Sequence, residues 1–172
     1  MNVPDPRLDL VDEIMAAWRV ELPELAGVPF ELSKRISRLA RLIETATAAE
    51  LDRLGLTNGE FEVLARLRSA GPPYRRKPND LTKALLLSSG GTTHVLHRLT
   101  EAGLVTREAD PDDRRSSWVR ATPAGVEKAE AALLAANSAY RAIFGALPDE
   151  TGRVLTDTLR DLARGPHIAY QR

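Results

Sequence analysis

The sequence predicts a mainly α fold with a small β-hairpin, and three observations carry that expectation. Apolar residues recur every three or four positions through most of the chain, beginning with Leu8, Val11, Met15 and Trp18, the period of a helix buried along one face. Aromatic residues are only 5% of the 172 positions, within a hydrophobic share of 43% that is rich in Ala and Leu, a composition suited to helices packed on helices. The helical period lapses between residues 104 and 121, where two short strand-like runs flank the turn formers Asp110-Pro111-Asp112-Asp113, as in a hairpin.

Residues 8–20 read as a short amphipathic helix, broken by Pro23, Gly27 and Pro29. Leu32, Ile36, Leu39, Ile43 and Ala46 share a face of one long helix from Phe30 to about Leu54, ended by Gly55. Thr57 and Glu60 form a capping-box pattern, with Leu56 and Phe61 spaced as a hydrophobic staple. The helix they open carries Leu64 and Leu67 and stops at Gly71-Pro72-Pro73. Tyr74 to Lys77 is short and extended, and Asn79 is placed to cap a brief helix through Leu86. Ser88 to Gly91 interrupts the pattern. Thr92 to Ala102 resumes it with Val95, Leu96 and Leu99 on one face, and Gly103 is placed for a left-handed cap. Strands over 104–108 and 118–121 follow, with Val105 and Val119 expected as a cross-strand pair. Thr122-Pro123 caps and opens a helix to about Leu147. Pro148-Asp149 starts the last helix, which ends at Gly165-Pro166.

A chain of this length is one domain, or a small domain with long appendages. No uninterrupted apolar run approaches the roughly 18 residues of a membrane span. The opening, Met1 to Leu10, has neither the basic head nor the apolar core of a secretion signal, so a cytoplasmic protein without membrane partners is expected. The absence of cysteine excludes disulfides, Cys-ligated zinc, iron–sulfur clusters and thiol switches. Gly-rich phosphate loops, His-Glu-x-x-His and Gly-x-Ser-x-Gly are also absent, so no enzyme, catalytic residue or cofactor is expected. The zero net charge hides an asymmetry. Residues 1–59 carry seven Lys and Arg against ten Asp and Glu, residues 60–120 eleven against eight, and residues 121–172 six against six. The basic surplus falls on the helix–helix–hairpin segment.

Three regions follow within one intertwined domain. Residues 1–54 hold N-terminal helices for dimerisation and a ligand pocket, 55–122 hold the helix–helix–hairpin module, and 123–172 hold C-terminal dimerisation helices. The terminal helices are long, amphipathic and Ala-rich, and no core within one chain consumes their apolar faces. A homodimer is expected on that ground; a monomeric helical bundle is the alternative.

Landmarks in the middle of the chain fall in a particular order. Leu56-Thr57 precedes the helix holding Phe61 and Leu64, and Leu81 lies in the short helix. Leu87-Ser88-Ser89 then leads to Leu99-Thr100-Glu101-Ala102-Gly103-Leu104-Val105 and Arg107. Asp110-Pro111-Asp112-Asp113-Arg114-Arg115 runs into Val119, Thr122 and Gly125. In these landmarks the chain resembles the MarR family of winged helix-turn-helix regulators, closely over roughly residues 55–126 and in pattern only at the ends. The resemblance implies a two-fold symmetric dimer on double-stranded DNA, with recognition helices in successive major grooves and wings in flanking minor grooves. It also implies a repressor released when a small aromatic or anionic ligand binds between the dimer and DNA-binding regions.

A helix N-terminus offers unpaired N–H groups and partial positive charge to a phosphate. Ser88 and Ser89 add hydroxyls there, and Gly90 and Gly91 have no side chains to hold the backbone away from DNA. Thr92, Thr93, His94, His97 and Arg98 follow along the first turns, where base edges are reached in this motif. Threonine suits a thymine methyl, and arginine suits guanine or phosphate. For His94 and His97 both readings stay open, base readers or solvated polar residues. With Glu101 they could also be drawn as metal ligands, but a metal there would compete with the groove, so none is expected. By the resemblance, Arg115 enters the minor groove with Asp113 orienting its guanidinium, drawn by the negative potential of narrow A·T-rich stretches. Arg114 and Arg107 read as phosphate contacts or wing salt-bridge partners. Arg75, Arg76 and Lys77 read as a second basic cluster, on the DNA backbone or solvated.

Trp18 reads as core or dimer packing, or as a pocket wall. A urate-responsive branch of the family places a tryptophan on such an added N-terminal helix, and this chain resembles it there. That branch's aspartate in the helix after the capping box is Glu62 here, and its recognition-helix arginine is Val95. Without the arginine an anionic purine lacks its charge partner, so urate is not expected; Trp18 reads first as packing, and Trp18 with Glu62 second as the pocket of another small aromatic or anionic effector. The rival to the whole reading is a winged helix with a protein-interaction or architectural role and no specific operator. Arg115→Ala is expected to weaken operator binding by about 1–3 kcal/mol, the scale of one good DNA contact, as measured by fluorescence anisotropy.

Overall fold

The computed structural model describes residues 9–85, 89–111, 113 and 116–165. Its elements are α1 (Leu10–Glu21), a 3-10 turn (Pro23–Leu25), α2 (Val28–Arg53), α3 (Asn58–Ser69), β1 (Arg75–Arg76) and α4 (Pro78–Leu85), then α5 (Ser89–Glu101), β2 (Val105–Ala109), β3 (Ser117–Ala121), α6 (Pro123–Phe144) and α7 (Asp149–Arg164). The chain is mainly helical with one small antiparallel sheet, and it divides into two compact units after Ala46.

In the first unit Asp9 caps α1. Its carboxylate accepts the Val11 amide at 2.8 Å and the Asp12 amide at 3.1 Å, while Asp12 accepts the Asp9 amide at 2.8 Å. Arg35 of α2 reaches back to Asp9 and Asp12, each at 2.7 Å, and to Glu31 at 3.0 Å. Desolvation pulls the Asp9 carboxyl upward, but the two amides and Arg35 outweigh it and hold the group below its ordinary value.

In the second unit α3 is central. Thr57 caps it in the expected box, and Phe61, Val63, Leu64 and Leu67 enter a core with Leu51, Leu81, Leu96, Leu99, Val105 and Val119. Each such side chain contributes about 1.5–3 kcal/mol by leaving water. Ala129, Ala132 and Ala136 line the buried face of α6, and with only methyl groups there α6 lies close against the same core.

The sheet has the order β1-β3-β2. The hairpin was expected; β1 as its third strand was not. A two-residue strand has no period to read, and it forms because Arg75 and Arg76 pair with Arg120 and Val119. Val105 faces Ala121 rather than Val119, which faces Arg107. Both valines still share the buried face, because a two-residue shift of register preserves sidedness.

Helix boundaries moved in several places. α2 starts at Val28 rather than Phe30, so Pro29, expected between the helices, lies in its first turn, where a proline costs no helical hydrogen bond. α4 starts at Pro78 with the Lys77 carbonyl accepting the Asp80 and Leu81 amides at 3.0 and 3.2 Å, so Asn79 lies inside the first turn instead of capping it. α5 takes in Gly90 and Gly91, which sequence reading left in a loop. α6 ends at Phe144, where the Gly145 amide closes on the Arg141 carbonyl at 2.8 Å, short of Leu147.

The exit of α5 and the entry of α6 meet. Gly103 adopts φ +69°, and the Leu104 amide returns to the Leu99 carbonyl at 2.9 Å. The Thr122 amide donates to the Leu104 carbonyl at 3.0 Å, its hydroxyl donates to the Gly103 carbonyl at 2.8 Å, and its Oγ1 accepts the Gly125 amide at 3.0 Å. A Cβ on Gly125 would lie 1.9 Å from the Leu104 carbonyl oxygen. Gly125→Ala is therefore expected to destabilise the fold by about 1–3 kcal/mol, the range of overpacking a tight interior, seen as a lower urea midpoint.

Candidate nucleic-acid interface

The recognition helix α5 has two faces. Thr92, Leu96 and Leu99, at i, i+4 and i+7, are buried, with Val95 half-buried against the core. Gly90, Thr93, His94, His97 and Thr100 are exposed on the other face. The structure thus keeps Thr93, His94 and His97 of the expected contact residues on the outside and corrects Thr92. At 2% exposure Thr92 belongs to the inward stripe, which the spacing of Leu96 and Leu99 would have shown if extended back one turn. Ser89 opens α5. Ser88, Arg114 and Arg115 lie outside the described residues.

Arg98 is exposed to 47% yet committed. Its Nε meets Glu60 Oε1 at 2.9 Å, where the Glu60 side chain is 6% exposed. Glu60 Oε2 accepts the Thr57 amide and hydroxyl, each at 2.7 Å. One carboxylate therefore caps α3 and pairs with α5, leaving neither oxygen unsatisfied. Arg98 thus helps hold α5 against α3 while its guanidinium remains partly exposed beside the polar face. His97 meets Glu101 at 3.2 Å along the exposed face, a pair of small energetic weight.

The wing stands beside this helix in the sequence, and its neck is built from residues that sequence reading missed. Trp118 of β3 has the Arg75 guanidinium 4.5 Å and the Lys77 ammonium 4.2 Å from its ring centroid. Lys77 also binds Asp110 and, at 2.7 Å, the Ser116 hydroxyl. Glu108 of β2 pairs with Arg120 of β3 at 3.0 Å and with Arg75 at 4.0 Å. Two members of the Arg75-Arg76-Lys77 cluster are thus bound into the wing. Asp113 is exposed, and its carbonyl accepts the Ser116 amide at 2.9 Å. No spacing rule joins residues 75–77 to 108–118; the pairing of β1 with β3 does.

Trp18 and Glu62 fall in different units. Trp18 is half-buried and meets Phe30 edge to face, with centroids 6.3 Å apart, while Lys34 lies 4.7 Å from the Phe30 centroid. Glu62 is half-buried on α3. Within the first unit α1 and α2 also enclose an open cleft of about 760 Å³, whose walls include Leu10, Ile14, Leu39 and Leu42 beside Arg38 and Arg41.

A three-helix core presenting one exposed helix face, next in sequence to a charged β-hairpin, defines a winged helix-turn-helix DNA-binding module. The family model described as MarR family matches residues 54–116. The HTH-type transcriptional regulator PecS of Dickeya dadantii (strain 3937) is 34% identical over 115 residues, covering 67% of this chain and 69% of PecS. YkoM, an HTH-type transcriptional regulator of Bacillus subtilis (strain 168), is 34% identical over 118 residues, or 68% and 75% of the two chains. Among solved structures, Sco3205, a MarR family transcriptional regulator from Streptomyces coelicolor in complex with DNA, superposes with a TM-score of 0.70 at 26% identity, covering 80% of this chain and 90% of its own. The chain belongs to the MarR family of transcriptional regulators.

Arg98→Ala is expected to lower operator affinity without changing the preferred base at any position, measured over a panel of single-base operator variants. Glu60→Ala, which removes cap and pair together, is expected to cost about 1–2 kcal/mol of stability.

Proposed function

We propose that the protein is a homodimeric, cytoplasmic repressor that reads its operator through the exposed face of α5 and is released by a small aromatic or anionic ligand. The observation that carries the DNA reading is the division of α5 into a buried stripe and a polar exposed face. A helix anchored this way offers Thr93, His94 and His97 to a major groove. Ser88, Ser89, Gly90 and Gly91 would serve a phosphate at its start, and Asp113, Arg114 and Arg115 the adjacent minor groove. We assign Thr92 no contact with bases.

The homodimer rests on uncovered apolar surface. α7 has no buried residue, and Val154, Leu155, Leu159 and Leu162 are exposed on it. Leu32, Ile36 and Leu42 are exposed on α2. A second copy is the simplest cover for surfaces of this size and spacing. The chain regions 1–54 and 123–172 are then dimerisation segments around the DNA-binding region 55–122. The repressor assignment rests on the family resemblance. The ligand assignment rests on it too, Trp18 and Glu62 entering only through that resemblance, and on the cleft between α1 and α2, where apolar walls stand beside Arg38 and Arg41. No helix among the described residues is long and apolar enough to cross a membrane, and no enzymatic role is assigned.

The test is fluorescence anisotropy on DNA from upstream of the protein's own gene, beside unrelated DNA of equal length at two salt concentrations. Preferential binding that falls steeply with salt, from a protein that sediments as a dimer, is expected. Equal weak binding to both DNAs would overturn the reading of a specific regulator.

A further inference from the structure

Lys77 is the last residue before α4, the first helix of the helix-turn-helix, and its carbonyl accepts the first amides of that helix. Its side chain points the other way, into the wing. The ammonium binds the Asp110 carboxylate and the Ser116 hydroxyl, and it packs on the Trp118 ring. Asp110 and Ser116 are the two ends of the wing-tip loop, joined to each other by the Asp110 amide donating to the Ser116 carbonyl at 3.2 Å. This is no exposed surface pair: the Lys77 side chain is 25% exposed and that of Asp110 9%. A partly desolvated, multiply bonded ammonium holds its geometry far better than a surface ion pair.

We propose that Lys77 is a positioning residue for DNA binding: it ties the neck of the wing to the start of the helix-turn-helix and contributes to operator affinity without touching DNA. The inference rests on the wing contacting the minor groove, as set out under Proposed function. β1 holds β3 only as far as Val119, and a hairpin beyond its last supporting pair swings about that point, so the freedom it loses on reaching DNA counts against binding. A neck already clamped to α4 has lost that freedom at folding, which is preorganisation. Charge neutralisation by Lys77 is not the mechanism, because its charge is already answered by Asp110.

The experiment is a double-mutant cycle on the full-length dimer, read by anisotropy on the operator DNA. Lys77→Met keeps the stem that packs on Trp118 and drops the charge; Asp110→Asn breaks the same link from the wing side. Each is expected to weaken binding about tenfold, the size of ordering one or two side chains at the binding step. In an Arg115→Ala background, where the wing has nothing left to place, each is expected to cost less than about twofold. Lys77→Arg, which keeps the charge, is expected to stay within about twofold of the wild type. The same loss in both backgrounds would overturn the proposal, since a phosphate contact or a general loss of fold is indifferent to Arg115. No loss from Lys77→Met or Asp110→Asn, with Arg115→Ala still weakening binding, would overturn it while leaving the wing reading intact. An inert Arg115→Ala would remove the wing reading, and the proposal with it.

Discussion

The DNA-binding unit depends on a carboxylate that cannot be left alone. Glu60 is almost wholly withdrawn from water, and an ionised group there is costly unless its oxygens are answered. One oxygen is answered by the amide and hydroxyl of Thr57, which fixes where α3 starts. The other is answered by Arg98 near the end of α5. Satisfying a single buried charge therefore sets α5 against α3, and the apolar stripe of Leu96 and Leu99 fills the space between. Orientation comes from the ion pair and cohesion from the leucines. The exposed face of α5 is what remains once both demands are met.

Most of the architecture was legible in the sequence because it is written in local rules. The capping box at Thr57, the left-handed glycine at 103 and the Thr122-Pro123 helix start each depend on a few neighbouring residues, and each stands where those residues put it. The facts that escaped are non-local. β1 exists only because β3 lies beside it, and the partners of Lys77 and Trp118 are brought together by that pairing. The offset between Val105 and Val119 depends on how the loop between Asp110 and Ser116 closes, which no pairwise preference specifies.

The two faces of α5 were legible in outline and less so residue by residue. Helical period alone separates Thr93, His94 and His97 from the buried stripe, and it would have placed Thr92 with that stripe. Arg98 was harder, because an exposed arginine on a recognition helix has the chemistry of a DNA contact; only the position of Glu60 across the helix pair reveals the ion pair it also makes. Arg75 and Lys77 show the same limit. Basic residues in a row suggest a surface for phosphate, yet here an indole and two carboxylates occupy two of them.

The junction at Thr122 has a bearing on the operator itself. Thr122 and the bare backbone of Gly125 bolt the first turn of α6 to the exit of α5, with no side chain between them to act as a cushion. The recognition helix and α6 therefore move as one body. In a two-fold pair joined through its terminal helices, the distance between the two α5 helices is set by the α6 framework rather than by the reading heads. If two copies pair through those helices as proposed, the number of base pairs separating the half-sites follows from how the α6 helices pack, and a ligand that spread them would put the protein out of step with its operator while leaving the exposed face of α5 unchanged.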